Sequence, residues 1–253
     1  MSFVEFLGPS GIGKSNLREQ ILKVSKCEKL ISFENAYLLA NWHFLSSRVF
    51  EHFNLDNYLS VIRHWSVRNK SSDFFTNETL NDDSFFASYS QLLNEALHNT
   101  FASSRPLHLK LQISRFLENL MFQHYTINVN CNFDKLVLMD EGLLMNLRGI
   151  EDSNFDSNKH LKQVLPKIVV NCMASKDLGC YRYIKRSLES GKIITAEEAA
   201  FAYEVTRKRA NKVLRKLQQY NVVVLDFDLD DLSDSKVNVL KNNLLETVNT
   251  NPH

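Results

Sequence analysis

Residues 3 to 17 read FVEFLGPSGIGKSNL, and no other stretch of the 253-residue chain constrains its fold as strongly. The apolar run Phe3–Leu7 stops at Gly8, Gly11 and Gly13 follow, and Lys14 and Ser15 close the loop. The spacing Gly8-x-x-x-x-Gly13-Lys14-Ser15 is that of a phosphate-binding P-loop. Each part has a physical reason. A short apolar run suits a buried parallel strand. Glycines let the backbone turn tightly and bring its N–H groups to phosphate oxygens with no Cβ in the way. A helix starting near Lys14 adds N–H groups that have no partner within the helix, and the positive end of its dipole. The residues expected to cradle the nucleotide are therefore Gly8, Pro9, Ser10, Gly11, Ile12, Gly13, Lys14, Ser15 and Asn16. Lys14 reaches the β/γ-phosphates, and Ser15 places its hydroxyl on Mg²⁺.

Such a loop belongs between a strand and a helix, and the rest of the chain supplies further strands. Leu30–Phe33, Leu136–Met139, Lys167–Asn171 and Val222–Phe227 are short apolar runs separated by stretches of helical periodicity. Strands alternating with helices predict a parallel sheet, and the expected fold is a three-layer α/β sandwich with strand order 2-3-1-4-5. With seven glycines, three of them in the loop, and four prolines, the remainder is expected to be rich in helix. One domain spanning 1–253 is the expected organisation. The segment from the second strand to the third is too long for a crossover and too apolar for a loop. It predicts a helical insert over 40–130, placed where open α/β sheets bind their ligands.

Charge and composition narrow the function classes. A net charge of +1 argues against a broad nucleic-acid footprint. The one dense basic tract, RKRANKVLRKLQQ, holds Arg207, Lys208, Arg209, Lys212, Arg215 and Lys216. It reads as a solvated helix face, with a local groove for DNA or RNA as the less favoured alternative. The four cysteines show no C-x-x-C pair and read as packing thiols of a reducing compartment. No signal peptide and no window near the ~20 apolar residues of a membrane span are evident, so a cytoplasmic location without membrane association is expected. The oligomeric state stays open, and a homodimer is compatible with the sequence.

The third run ends KLVLMDEG. An apolar strand closing on Asp140 supplies the second half of a P-loop site, with Asp140 on Mg²⁺ directly or through water and Glu141 as a further candidate ligand. Glu141 could instead activate water in an ATPase or switch that signals to a partner. That class calls for a sensor arginine or an L-S-G-G-Q signature, and neither is recognisable. After the fourth run comes a helix with Arg182, Lys185 and Arg186 at i, i+3 and i+4, on one face. Cations there stabilise the charge that develops on a transferred phosphoryl group, and 181–200 is expected to act as a lid.

Taken together, the loop, the acidic end of the third strand and the basic helix resemble the P-loop nucleoside and nucleotide kinases, the group that includes deoxynucleoside kinases and thymidylate kinase. The resemblance covers most of the chain as architecture. It implies ATP and Mg²⁺ as cofactors, a small hydroxyl-bearing acceptor, and a glutamate at the end of the second strand acting as base. KLISFENAY places Glu34 at that position. Asp140-Glu141-Gly142 stands where deoxynucleoside kinases carry Asp-Arg-Ser or Glu-Arg-Ser, so the substrate-contacting arginine of that motif is missing; Arg148 and Arg115 are possible substitutes. Phosphotransferases of sugars, and phage enzymes that phosphorylate a hydroxymethylated base in DNA, resemble the layout too. Trp42, His43, Phe44, Phe50, Phe53, Tyr58, His64 and Trp65 could stack a base or form the core of the helical cap.

Overall fold

Ser2–Leu7 (β1) is buried at every position, as a central strand covered on both faces must be. It lies between Leu136–Met139 (β3) and Ile168–Met173 (β4); Leu30–Ser32 (β2) and Val223–Asp228 (β5) form the edges. All four pairings are parallel, and the order is β2-β3-β1-β4-β5. This α/β sheet is the one expected from the sequence. The computed structural model describes residues 2–24, 29–49, 83–130, 135–140, 142–146 and 164–250.

Among the described residues, the α-helices of the sheet-bearing unit are Lys14–Val24 (α1), Leu143–Asn146 (α5), Lys176–Glu189 (α6), Ala196–Leu217 (α7) and Asp234–Thr250 (α8). Val4 and Phe6 point from β1 into a core shared with Leu136, Leu138, Ile168 and Val170 of the flanking strands, Leu17 and Ile21 of α1, and Val237, Leu240 and Leu244 of α8. Strand side chains alternate, so Phe3, Glu5 and Leu7 face the other way. The edge strand β5 is half exposed and carries Asp226 and Asp228, charges that discourage further strand pairing. Side chains set the helix starts. Leu178 N donates to Ser175 Oγ before α6, and Thr195 and Glu198 form a reciprocal capping box before α7. Gly191, at φ 73°, turns the chain between these two helices.

The chain divides into two compact units, Met1–Phe33 with Phe133–His253, and Glu34–Asn132. In the second, Asp83–Ala102 (α3) and Leu107–Asn130 (α4) pack as a hairpin, and Phe33–Val49 (α2) leads in from the boundary. Tyr89, Leu92, Ala96 and Thr100 recur at helical spacing and are buried, as are Ser114, Leu117, Met121 and His124. Pro106 opens α4, its carbonyl accepting from Leu109 N and Lys110 N, and Lys110 Nζ donates to Phe101 O at 2.7 Å.

One boundary differs from expectation and bears on function. The run Leu30–Phe33 predicts a strand ending just before Glu34. The strand ends instead at Ser32, and Phe33 and Glu34 lie in the first turn of α2. Glu34 is thus an exposed helix N-terminal carboxylate, where the dipole favours an acid, rather than a strand-end residue.

Candidate phosphate-binding site

The loop after β1 has the geometry its glycines suggest. Gly8, Gly11 and Gly13 take φ values of 150°, 80° and 110°. A Cβ on Gly8 would lie 2.5 Å from Cys172 O, against the backbone of β4, where nothing can give way. A Cβ on Gly13 would lie 3.2 Å from the Arg182 guanidinium. The first intrahelical bond of α1 runs from Leu17 N to Gly13 O at 3.0 Å, so the amides of the first turn are aimed out of the helix end. Lys14 is buried, and its Nζ donates to Gly8 O at 3.1 Å and Pro9 O at 2.8 Å. Its ammonium therefore lies across the inside of the loop. Ser15 and Asn16 are exposed at the start of α1.

Asp140 follows β3 and meets α1 through Arg18, whose Nη1 lies 3.1 Å from Asp140 Oδ1, with 12% and 24% of the two side chains exposed. Arg18 is a site residue that the sequence reading missed. The available signal was its position four residues after Lys14, on the same helical face. Arg182 is the one member of the basic triplet that docks on the loop, its Nη1 donating to Ile12 O. The neighbouring Tyr183 backs Gly11, where a Cβ would fall 3.1 Å from its ring. Lys185 and Arg186 are exposed further along α6.

A second missed residue is Glu5, the single charge inside the apolar run that marks β1. It is 1% exposed. Its two carboxylate oxygens accept from Leu144 N at 3.1 Å and Met145 N at 3.2 Å. Burial raises its carboxyl to about 7, against the opposing pull of those N–H groups and of the nearby Lys14 ammonium. Burial likewise pushes the Cys172 thiol, beneath Gly8, up to about 12, which keeps it a packing group.

The sheet-bearing unit thus brings together Gly8 to Asn16, Asp140 and Arg182. Glu34 belongs to the other unit, and Glu141, Arg148, Phe50, Phe53, Tyr58, His64 and Trp65 lie outside the described residues. Trp42, His43 and Phe44 are in α2. Arg115 is exposed on α4. The residues present fit an anionic group: three glycines at positive φ, a buried lysine and a helix N-terminus form one cradle. Ser15 and Asp140 offer hard oxygen donors of the kind Mg²⁺ takes, with the remaining positions left to phosphate and water.

No described helix is long and apolar enough to cross a membrane. No family model matches the sequence, and no curated protein matches it. Among solved structures, the chain is similar to deoxyadenosine kinase from M. mycoides with bound dCTP. That likeness has 13% identity over 96% of this chain and 99% of the other, with a TM-score of 0.45. The functional reading rests on the loop and the strand ends.

Proposed function

We propose that the protein is an ATP- and Mg²⁺-dependent phosphotransferase that moves the γ-phosphoryl group to a hydroxyl, or a phosphate, of a nucleoside, nucleotide or similar small acceptor. The observation that carries this reading is the strand–loop–helix with its glycines at positive φ and Lys14 across it, beside a sheet neighbour, β3, that Asp140 follows. The loop amides and Lys14 bind the phosphates. Ser15 and Asp140 would hold the cation, which would supply charge screening of the transferring group. Arg182, already against the loop, supplies positive charge there, and Arg186 on the same face adds to it when α6 and the 181–200 segment close. The acceptor oxygen forms the new O–P bond, the bond to the β–γ bridging oxygen breaks, and ADP leaves. The acceptor's proton passes to a carboxylate, for which Glu34 is the proposed base. The helical unit would hold the acceptor.

The test follows radiolabel from [γ-³²P]ATP, with and without a panel of nucleosides, nucleotides and sugars. Transfer to an acceptor, with little phosphate release when none is present, supports the reading. Rapid release without any acceptor would favour a nucleotide-hydrolysing switch. Lys14→Ala should lower transfer by about 10² or more, the scale of a lost electrostatic contact to the reacting group. Glu34→Gln should lower kcat by about 10²–10⁴ with ATP binding nearly unchanged; a variant of wild-type kcat would remove Glu34 from the mechanism.

A further inference from the structure

Glu5 contradicts its surroundings. Every other residue of Phe3–Leu7 is apolar, β1 is the central strand, and a buried carboxylate is costly unless its oxygens are satisfied. Its contacts supply the reason. In the β1–β3 ladder, Glu5 is the register partner of Met139, the last residue before Asp140. Its side chain takes the N–H groups of Leu144 and Met145, a few residues after Asp140. One residue of β1 therefore holds both ends of the segment that carries Asp140. The two N–H groups converge on two different oxygens, and only a carboxylate offers two acceptors there; a glutamine would present one acceptor and one donor. The fit extends to Gly142. A Cβ at that position would lie 2.4 Å from Glu5 Cδ and Oε2. The glycine of the D-E-G sequence thus leaves the Glu5 carboxylate the space that a Cβ would take.

We propose that Glu5 and Gly142 form an interlock that positions the Asp140 segment for the metal-bound nucleotide, which makes Glu5 a positioning residue of the phosphate-transfer site. The proposal rests on the phosphotransferase reading for what is positioned, but the interlock itself is a property of the fold. β1 runs directly into the glycine loop, so the same strand fixes the loop at its end and the Asp140 turn through Glu5. The spacing between phosphate cradle and metal-side carboxylate is thereby set by one element, with Arg18 bracing Asp140 from α1.

Two measurements on the full-length protein decide it. The first compares ATP affinity in Mg²⁺ and in EDTA for wild type and Glu5→Gln. The interlock predicts that the gain from Mg²⁺ shrinks by about tenfold or more, the usual cost of losing a group that orients a metal ligand, while affinity in EDTA stays within about twofold of wild type. A folded Glu5→Gln protein with an unaltered Mg²⁺ gain would overturn the positioning role, because a merely structural residue lowers melting temperature without moving that ratio. The second measurement needs no ligand and covers the case in which Glu5→Gln does not fold. Gly142→Ala should lower the melting temperature sharply in the wild-type background and far less in a Glu5→Ala background, where the space is free. An equal loss in both backgrounds would overturn the interlock. If wild type gains nothing from Mg²⁺, the phosphotransferase reading falls, and the melting comparison still judges the interlock.

Discussion

Arg18 and Asp140 meet across 122 positions of the chain, and their pairing ties α1 to the residue that follows β3. With both side chains largely shielded, the ion pair is worth more than an exposed one, and removing either partner leaves the other charge partly desolvated. A double-mutant cycle with Arg18→Ala and Asp140→Ala, read by urea denaturation, should give a coupling energy of about 0.5–3 kcal/mol. Additive losses would mean that the two side chains are not energetically linked. Asp140 and the basic helix were legible as single residues, because a strand-end acid and an i, i+3, i+4 triplet are local patterns. Arg18 as the partner of Asp140 was not, since nothing local to either residue names the other.

At the scale of elements, the α3–α4 hairpin is pinned by a buried polar cluster. Asn128 Nδ2 donates to the Tyr89 hydroxyl at 2.8 Å, and that hydroxyl is hydrogen-bonded to His124 Nδ1. Tyr125 meets Tyr89 edge-on at 5.6 Å between ring centroids. Burial pushes the Tyr89 hydroxyl well above its ordinary range and holds His124 down to about 3. The folded state thus keeps His124 neutral at a pH where the unfolded chain protonates it. This contribution to stability is full above about pH 6.5 and is lost as pH falls toward 3. Between pH 7.5 and 5, wild type should lose roughly 2 kcal/mol more than His124→Gln, in which the group no longer titrates. Glu5 acts with the opposite sign: its raised carboxyl favours the folded state below about pH 4.5, and that advantage is lost as pH rises through about 7. It is present in both proteins and cancels from the comparison. Parallel pH curves from urea denaturation would show that His124 is not held neutral.

At the scale of the whole molecule, a ligand that binds only the folded sheet-bearing unit must stabilise it by mass action. MgATP at about 100 times its Kd should add roughly 2.7 kcal/mol, and the melting temperature should keep rising with concentration. Lys14→Ala should flatten that dependence. The same titration distinguishes the cradle from an inert glycine turn, which would show no ligand dependence in the wild-type protein either.

The sequence by itself determined the five strands to within two residues at each end, the strand order and the glycine-rich turn between β1 and α1. These follow from local rules: apolar runs of strand length, helical spacing between them, and glycines where the backbone must turn against a neighbour. Tertiary structure decided what depends on distant chain meeting at one point. It moved Glu34 from a strand end into the first turn of α2, because Phe33 is buried as a helix residue just beyond a strand only three residues long. It chose Arg182 over Lys185 and Arg186 as the cation on the loop, since α6 presents one side chain to Ile12 and turns the others to solvent. And it brought Glu5, a charge inside an apolar run, against Gly142, far along the chain. A carboxylate buried in a central strand is explicable only once the N–H groups of Leu144 and Met145, brought by the β1–β3 pairing, are seen to converge on its two oxygens.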